Sequence, residues 1–244
     1  MTTQPADVFR LFFAPGEVTE IRSYGLRGNN AKGWEGFATD IVYGYFDGPE
    51  AFQDAARVLE KAKAPGIYFV LNPVLPDLLA RANNRLIAAG RKGTTTSDRH
   101  VAAMRWVYID IDPRRPAGIS STDDELASAV ELRDRIHRHL VEERSVPEAG
   151  TVRALSGNGA HLLVRMPDLP PDESNALFVR RTLASLASRF DTDRVEVDRK
   201  TFNPARICKL YGTTARKGDD IPARPHRRSR LEGVGYGPEV RHTD

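Results

Sequence analysis

Residues 106–113 have the sequence Trp-Val-Tyr-Ile-Asp-Ile-Asp-Pro, in which apolar and polar side chains alternate up to a proline. Side chains two residues apart in a strand face the same side of the sheet. The pattern therefore predicts a strand whose Asp110 and Asp112 point together, while Ile109 and Ile111 face a core on the other side. Two carboxylates this close repel each other unless a hard divalent cation lies between them, and Mg²⁺ and Mn²⁺ prefer carboxylate oxygens. The alternative is a pair of solvated aspartates at the end of a strand.

A short turn with two glycines separates the apolar runs 151–155 and 160–166, which predicts a β-hairpin. Its sequence, from Ser156 to His161, is Ser-Gly-Asn-Gly-Ala-His. Glycines let backbone N–H groups approach an anion closely, and Ser156 and Asn158 add polar side chains. The turn therefore suits a triphosphate, and the alternative is an ordinary hairpin with a surface histidine.

A third segment, Val-Glu-Val-Asp at residues 195–198, predicts a short strand that ends in Asp198. This carboxylate would complete a three-carboxylate site with the first two aspartates. The apolar residues of the segment that follows would leave Arg206 and Lys209 facing a polar cleft. Two fixed cations beside a carboxylate cluster suit a polyphosphate or a nucleic-acid backbone. The alternative is an ordinary strand or turn with flanking charges.

The rest of the chain predicts a mixture of helices and strands, which is the α+β class. Thr122 and Glu125 have the spacing of a helix capping box. Residues 91–97 are expected to form a loop, and residues 222–230 an extended arm or linker. We expect the remaining strands at residues 8–13, 18–24, 37–46 and 67–71, and helices at residues 49–64, 76–89, 122–144 and 171–190.

The composition of the 244-residue chain indicates a soluble cytoplasmic protein. Hydrophobic residues make up 40% of the chain and charged residues 28%, which allows a substantial core. No apolar run is long enough to span a membrane, and the first residues lack the pattern of a secretory signal. The one cysteine, Cys208, excludes an internal disulfide and a cysteine-cluster zinc site.

The net charge of +3 is unevenly distributed. Residues 199–244 contain 11 Lys and Arg against 5 Asp and Glu. A basic segment of this kind favours a polyanionic partner, nucleic acid first. The alternative is a solvated tail.

Taken together and in this order, the three motifs resemble the catalytic signature of the archaeo-eukaryotic primase superfamily. The similarity is greatest to the small primase-polymerases of bacterial mobile and defence elements, and it extends over about residues 8–216. Four further stretches are similar to segments of those proteins: residues 13–16, 70–73, 95–98 and 203–206.

The resemblance implies a catalytic core in which a sheet like that of an RNA-recognition motif packs with an N-terminal α/β module. The expected parts are the N-terminal module at 1–100, the catalytic module at 101–216, and a basic segment or linker to a further domain at 217–244. Whether the chain is part of a longer protein or a stand-alone polymerase stays open.

The resemblance also implies the chemistry of the site. Asp110, Asp112 and Asp198 would hold two Mg²⁺ or Mn²⁺ ions, which activate a 3′-hydroxyl for in-line attack on the α-phosphate of a dNTP or NTP. The triphosphate would be contacted by Ser156, Asn158 and His161, and His161 is also one of the expected catalytic residues. Phosphates or template would be contacted by Arg206 and Lys209. The expected partners are a single-stranded DNA template, a primer, and a helicase or other domain. No zinc and no membrane are expected.

Three rival functions stay open. Asp198 and Lys200 fit the Asp-x-Lys half of a metal-dependent nuclease site, but this leaves the turn after Ser156 without a role. The Asp-x-Asp pattern also occurs in glycosyltransferases, which would not explain the other motifs. A degenerate module that only binds nucleic acid would not need carboxylates, because these repel a phosphate backbone.

Overall fold

Two five-stranded antiparallel sheets form the framework of the chain. The computed structural model describes residues 2–28, 33–89 and 95–235. The strands are β1 (Thr19–Ser23), β2 (Val42–Phe46), β3 (Ile67–Val70), β4 (Ile87–Ala88), β5 (Met104–Pro113), β6 (Thr151–Leu155), β7 (Ala160–Leu169), β8 (Val195–Val197), β9 (Ile207–Lys209), β10 (Thr214–Ala215), β11 (Arg227–Arg228) and β12 (Arg230–Val234). The α-helices are α1 (Pro5–Phe12), α2 (Pro49–Lys61), α3 (Asp123–Arg138) and α4 (Glu173–Phe190). This arrangement is an α+β fold.

The first sheet has the strand order β4-β2-β1-β3-β9, and the second has the order β12-β6-β7-β5-β8. Strand β9 follows four strands of the second sheet in the sequence but joins the first sheet, where Cys208 pairs with Phe69 of β3. The chain therefore crosses between the sheets just before β9, and this crossing brings residues late in the sequence against β5.

Strand β5 divides its side chains between two cores, as its alternation predicts. Ile109 and Ile111 are buried with α3 and α4 on one face of the second sheet. Trp106 and Tyr108 face the other way, into a core shared with the first sheet and with α1 and α2. Asp110 and Asp112 continue this second face past the end of the shared core, so they open into the space between the sheets.

Two local predictions near the site are confirmed. The capping box at the start of α3 is present, since the Glu125 N–H donates to Thr122 Oγ1 at 3.1 Å and the Thr122 N–H donates to Glu125 Oε2 at 2.9 Å. The hairpin between β6 and β7 is closed by the Ser156 N–H, which donates to the Gly159 carbonyl at 3.0 Å.

Three of the expected elements are wrong or too long. Residues 8–13 lie largely in helix α1, because Pro5 starts a helix whose apolar residues recur at helical spacing and are buried. Residues 76–89 form a short 3₁₀ helix (Pro76–Arg81) and then β4, with Asn84 at a φ of 49° between them. The strand expected at 37–46 begins only at Val42.

The arm expected at residues 222–230 is also corrected. Strand β11 pairs with β10, and β12 pairs with β6 at the edge of the second sheet. Arg224 forms an ion pair with the capping-box carboxylate of Glu125, and Arg227 with Asp123. Two basic residues of the segment, Arg224 and Arg227, therefore bind the acidic first turn of α3 instead of lying free. The expected boundaries at residues 100 and 216 stay predictions, and residues 91–94 of the expected loop lie outside the described residues.

Candidate active site

One cleft between the two sheets contains most of the residues singled out from the sequence. Its volume of about 410 Å³ lies within the range of about 300–1,000 Å³ that is usual for small-molecule sites. Seven of the eight candidate site residues line it: Asp110, Asp112, Ser156, Asn158, His161, Arg206 and Lys209. The first sheet contributes Tyr24 and Tyr68 to the opposite wall.

The two carboxylates on β5 differ in how well their negative charge is stabilised. Burial and the nearby Asp110 raise the pKa of Asp112, against the opposing effect of Arg115, whose guanidinium lies 3.5 Å from Asp112 Oδ1. Burial would also raise the pKa of Asp110, but His161 outweighs it and lowers that pKa. Asp110 is therefore ionised, and Asp112 is the carboxylate that is destabilised by its neighbour.

His161 is buried, with 1% of its side chain exposed. Its Nε2 lies 3.2 Å from Asp110 Oδ1 and 3.0 Å from the Tyr108 hydroxyl, and its Nδ1 lies 2.8 Å from the Tyr211 hydroxyl. Burial alone would lower the pKa of His161, but the Asp110 carboxylate raises it to about 10. The ring is thus held as an imidazolium that directs a proton at Asp110, and two tyrosines fix its orientation.

The turn between β6 and β7 packs directly against the carboxylates. A Cβ on Gly159 would lie 2.5 Å from the Ile111 carbonyl oxygen and 2.7 Å from Asp112 Oδ1, so only glycine fits there. Ser156 Oγ accepts the Gly159 N–H at 2.9 Å, and Asn158 Oδ1 accepts the Ser121 N–H at 2.9 Å. Both side chains therefore shape the turn as well as line the cleft.

Three Lys and Arg side chains line the cleft in addition to His161, and one of them, Lys217, is not among the residues predicted from the sequence. Arg206 donates to the Lys200 carbonyl oxygen. Lys209 Nζ donates to Thr213 Oγ1 at 2.8 Å and to the Thr214 carbonyl at 3.0 Å. Lys217 is exposed, and its charge lowers the pKa of both aspartates. It was missed because its segment was assigned to a tail, whereas β10 and β11 hold that segment against the site.

Asp198 is not among the residues that line the cleft. Its backbone N–H donates to the Asp110 carbonyl oxygen at 2.8 Å, so the residue is adjacent to the site. Its Oδ1 accepts the Lys200 N–H at 2.8 Å, a bond that turns the carboxylate back toward its own loop. The structure thus places the third predicted ligand beside the other two without joining them into one cluster.

The carboxylate pair fits a divalent cation by its donor chemistry. Asp110 and Asp112 present oxygen ligands from one face of β5, and a cation between them would relieve the repulsion that raises the pKa of Asp112. Over the described residues, no group of three or more His, Cys, Asp or Glu side chains is arranged to hold a metal. The residues that would hold an ion are therefore these two aspartates, and the second ion stays a prediction.

Lys209 predicts a measurable pH dependence of folding. Burial lowers its pKa to about 7, although Glu60 opposes this shift, whereas the unfolded chain has a lysine of ordinary pKa. Above pH 7 the unfolded state binds more protons, so stability contributed at this position rises with pH. We expect the unfolding free energy of wild type, relative to that of Lys209→Met, to increase by about 2 kcal/mol from pH 7 to 9. Urea denaturation of both proteins measures it, and a constant difference would contradict the buried position of the amine.

Comparison with known proteins does not identify the chain. No protein-family model matches it, and no curated protein matches its sequence. Among the described residues, no helix has the length and apolar character needed to cross a membrane. The assignment of function therefore rests on the chemistry of the cleft.

Proposed function

We propose that the protein is a template-directed nucleotidyltransferase, a DNA primase-polymerase with a catalytic core like that of the archaeo-eukaryotic primases. One observation carries the proposal. Residues from the first two motifs meet in one cleft with Arg206 and Lys209 of the segment after the third, and the paired carboxylates on β5 lie beside the glycine-containing turn. A carboxylate pair next to donors for phosphate is the arrangement that nucleotidyl transfer requires. The proposed setting is the cytoplasm, with single-stranded DNA and free nucleotides as partners.

In this proposal, different residues of the cleft contact different parts of the nucleotide. Ser156, Asn158 and Lys217 hold the triphosphate at the Asp112 end of the cleft. Divalent ions bound by Asp110 and Asp112 would supply charge neutralisation at the α-phosphate and activation of the attacking hydroxyl. His161 keeps the Asp110 carboxylate ionised and fixed, which prepares it for a cation.

The test is incubation of the protein with labelled dNTPs or NTPs and Mn²⁺ or Mg²⁺ on unprimed and primed single-stranded DNA. We expect new strands on the unprimed template and longer strands on the primed one. Extension of the primer alone would support a polymerase and reject strand initiation. Shortening of the template without synthesis would reject the proposal and favour the nuclease predicted from Asp198 and Lys200.

A further inference from the structure

A second polar pocket adjoins the cleft. It has a volume of about 430 Å³ and shares Tyr24, Arg206 and Ile207 with the cleft as a common wall. Its remaining lining comes from β1, from the loop before β5 and from the loop before β9: Arg22, Thr96, Ser97, Asp98, Asn203 and Ala205. The two pockets are therefore neighbours that meet at these three residues.

The two guanidinium groups of this second pocket differ in how far their donors are already used within the protein. Arg22 Nε donates to Glu20 Oε1 at 2.5 Å, and its other nitrogens reach the Tyr24 hydroxyl and the Thr96 carbonyl. Arg206 donates to the Lys200 carbonyl. The Arg22 guanidinium is therefore held by the protein, whereas the Nε of Arg206 is buried without a hydrogen-bond partner among the described residues.

The second pocket presents oxygen atoms that can accept hydrogen bonds from a ligand. Asp98 Oδ1 accepts both the Asn203 side-chain amide and the Ala205 N–H, each at 2.9 Å. These bonds hold the two loops together and orient the Asp98 carboxylate and the Asn203 amide. They occupy one oxygen of Asp98 and the nitrogen of Asn203, so the acceptors that remain for a ligand are Oδ2 of the exposed Asp98 and Oδ1 of the half-buried Asn203.

Two acceptors of this kind select a ligand that donates hydrogen bonds. A phosphate group would be repelled by the Asp98 carboxylate, whereas the hydroxyls of a ribose donate to it. Carboxylates bind the ribose 2′-hydroxyl of dinucleotides in just this way. The chemistry of the second pocket therefore complements a sugar.

The position of the pocket agrees with this assignment. The turn that ends at Gly159 lies against Asp112, at one end of the carboxylate pair. At the other end, Asp198 bonds to the Asp110 backbone and Thr201 to the Tyr108 carbonyl, and this segment leads to Asn203. A nucleotide with its phosphates at the turn would thus place its sugar toward the second pocket.

We propose that Asp98 and Asn203 bind the ribose of the incoming nucleotide and that the enzyme consequently selects ribonucleotides over deoxyribonucleotides. This inference rests on the proposed nucleotidyltransferase function. It specifies the substrate class of the same site, and it assigns a function to two loops that the catalytic motifs do not include.

The test is equilibrium binding of ATP and dATP in Mg²⁺ by calorimetry, for wild type, Asp98→Asn and Asn203→Ala. Asp98→Asn keeps an oxygen for the Ala205 N–H, but it removes the charge and replaces the acceptor Oδ2 with an NH2 donor. Wild type should bind ATP about tenfold more tightly than dATP, since a hydrogen bond to a charged group is worth at least that factor. Each variant should lose this preference through weaker ATP binding, with dATP binding unchanged. The control Asp77→Asn, on the exposed 3₁₀ helix, should keep the preference.

The possible negative results distinguish failure of the ribose assignment from failure of the proposed function. Equal binding of ATP and dATP by wild type, or an unchanged preference in both variants, would overturn the ribose assignment while strand synthesis could still stand. Absence of binding of either nucleotide, together with absence of strand synthesis, would overturn both the assignment and the proposed function. Thermal unfolding of each variant establishes that it is folded before its binding is interpreted.

Discussion

Asp112→Asn is expected to lower nucleotide incorporation by about 10³-fold while leaving the protein at least as stable as wild type. The loss follows because the carboxylate supplies charge where a cation must be held, and removal of one such electrostatic group costs about 10²–10³ in rate. Stability should not fall, because burial and the neighbouring Asp110 raise the pKa of Asp112 against the opposing Arg115, so the ionised carboxylate is disfavoured in the free protein. Initial rates and thermal unfolding of the same preparation measure both effects.

The control for this prediction is Asp193→Asn, an exposed aspartate in the turn before β8. It should change neither the rate nor the melting temperature by a measurable amount. An active Asp112→Asn protein would contradict the proposed role of the β5 carboxylates. A large loss of stability would contradict the account of their repulsion.

Asp110→Asn should have the opposite effect on stability. This change removes the carboxylate that holds the buried imidazolium of His161, and removal of one partner from a buried ion pair is strongly destabilising. We expect a loss of about 3 kcal/mol in unfolding free energy, the low end of the range for buried ion pairs, because 22% of the Asp110 side chain is exposed. Incorporation should also be lost.

A double-mutant cycle separates this ion pair from general damage to the site. His161→Gln in the Asp110→Asn background leaves no buried charge without a partner, so part of the lost stability should return. Additive destabilisation by the two changes would show that His161 and Asp110 do not stabilise each other, and our account of the histidine would then be wrong.

The elements near the site were predictable where a local pattern determines the structure. The alternation along β5 predicts that Asp110 and Asp112 lie together and that Ile109 and Ile111 face the helices. The two glycines after Ser156 predict the hairpin for a similarly local reason, since a tight turn needs residues without side-chain clashes.

Long-range pairing accounts for what the sequence did not reveal. Strand β9 joins the first sheet by pairing with β3, more than a hundred residues earlier, and this brings Tyr211 onto His161. Lys217 reaches the cleft because β10 pairs with β11. Neither contact leaves a periodic signal in the sequence, because each depends on a partner strand that is distant along the chain.

Ambiguous local patterns account for the errors in helix and strand assignment. The apolar run after Pro5 satisfies both a helix and a strand, and packing of Phe9 and Phe12 into the shared core selects the helix. The direction of the Asp198 side chain was likewise not predictable, because the sequence separation between Asp198 and Asp110 does not determine which way a side chain turns.

The most direct test of the central proposal is incorporation of single labelled nucleotides on homopolymer templates. Wild-type protein is incubated with a primed oligo-dT, oligo-dA or oligo-dC template and one labelled nucleotide at a time, beside Asp112→Asn. We predict primer extension only when the nucleotide is complementary to the template, and none with the variant. Extension that ignores the template, or equal extension by Asp112→Asn, would contradict a template-directed transferase that uses the β5 carboxylates.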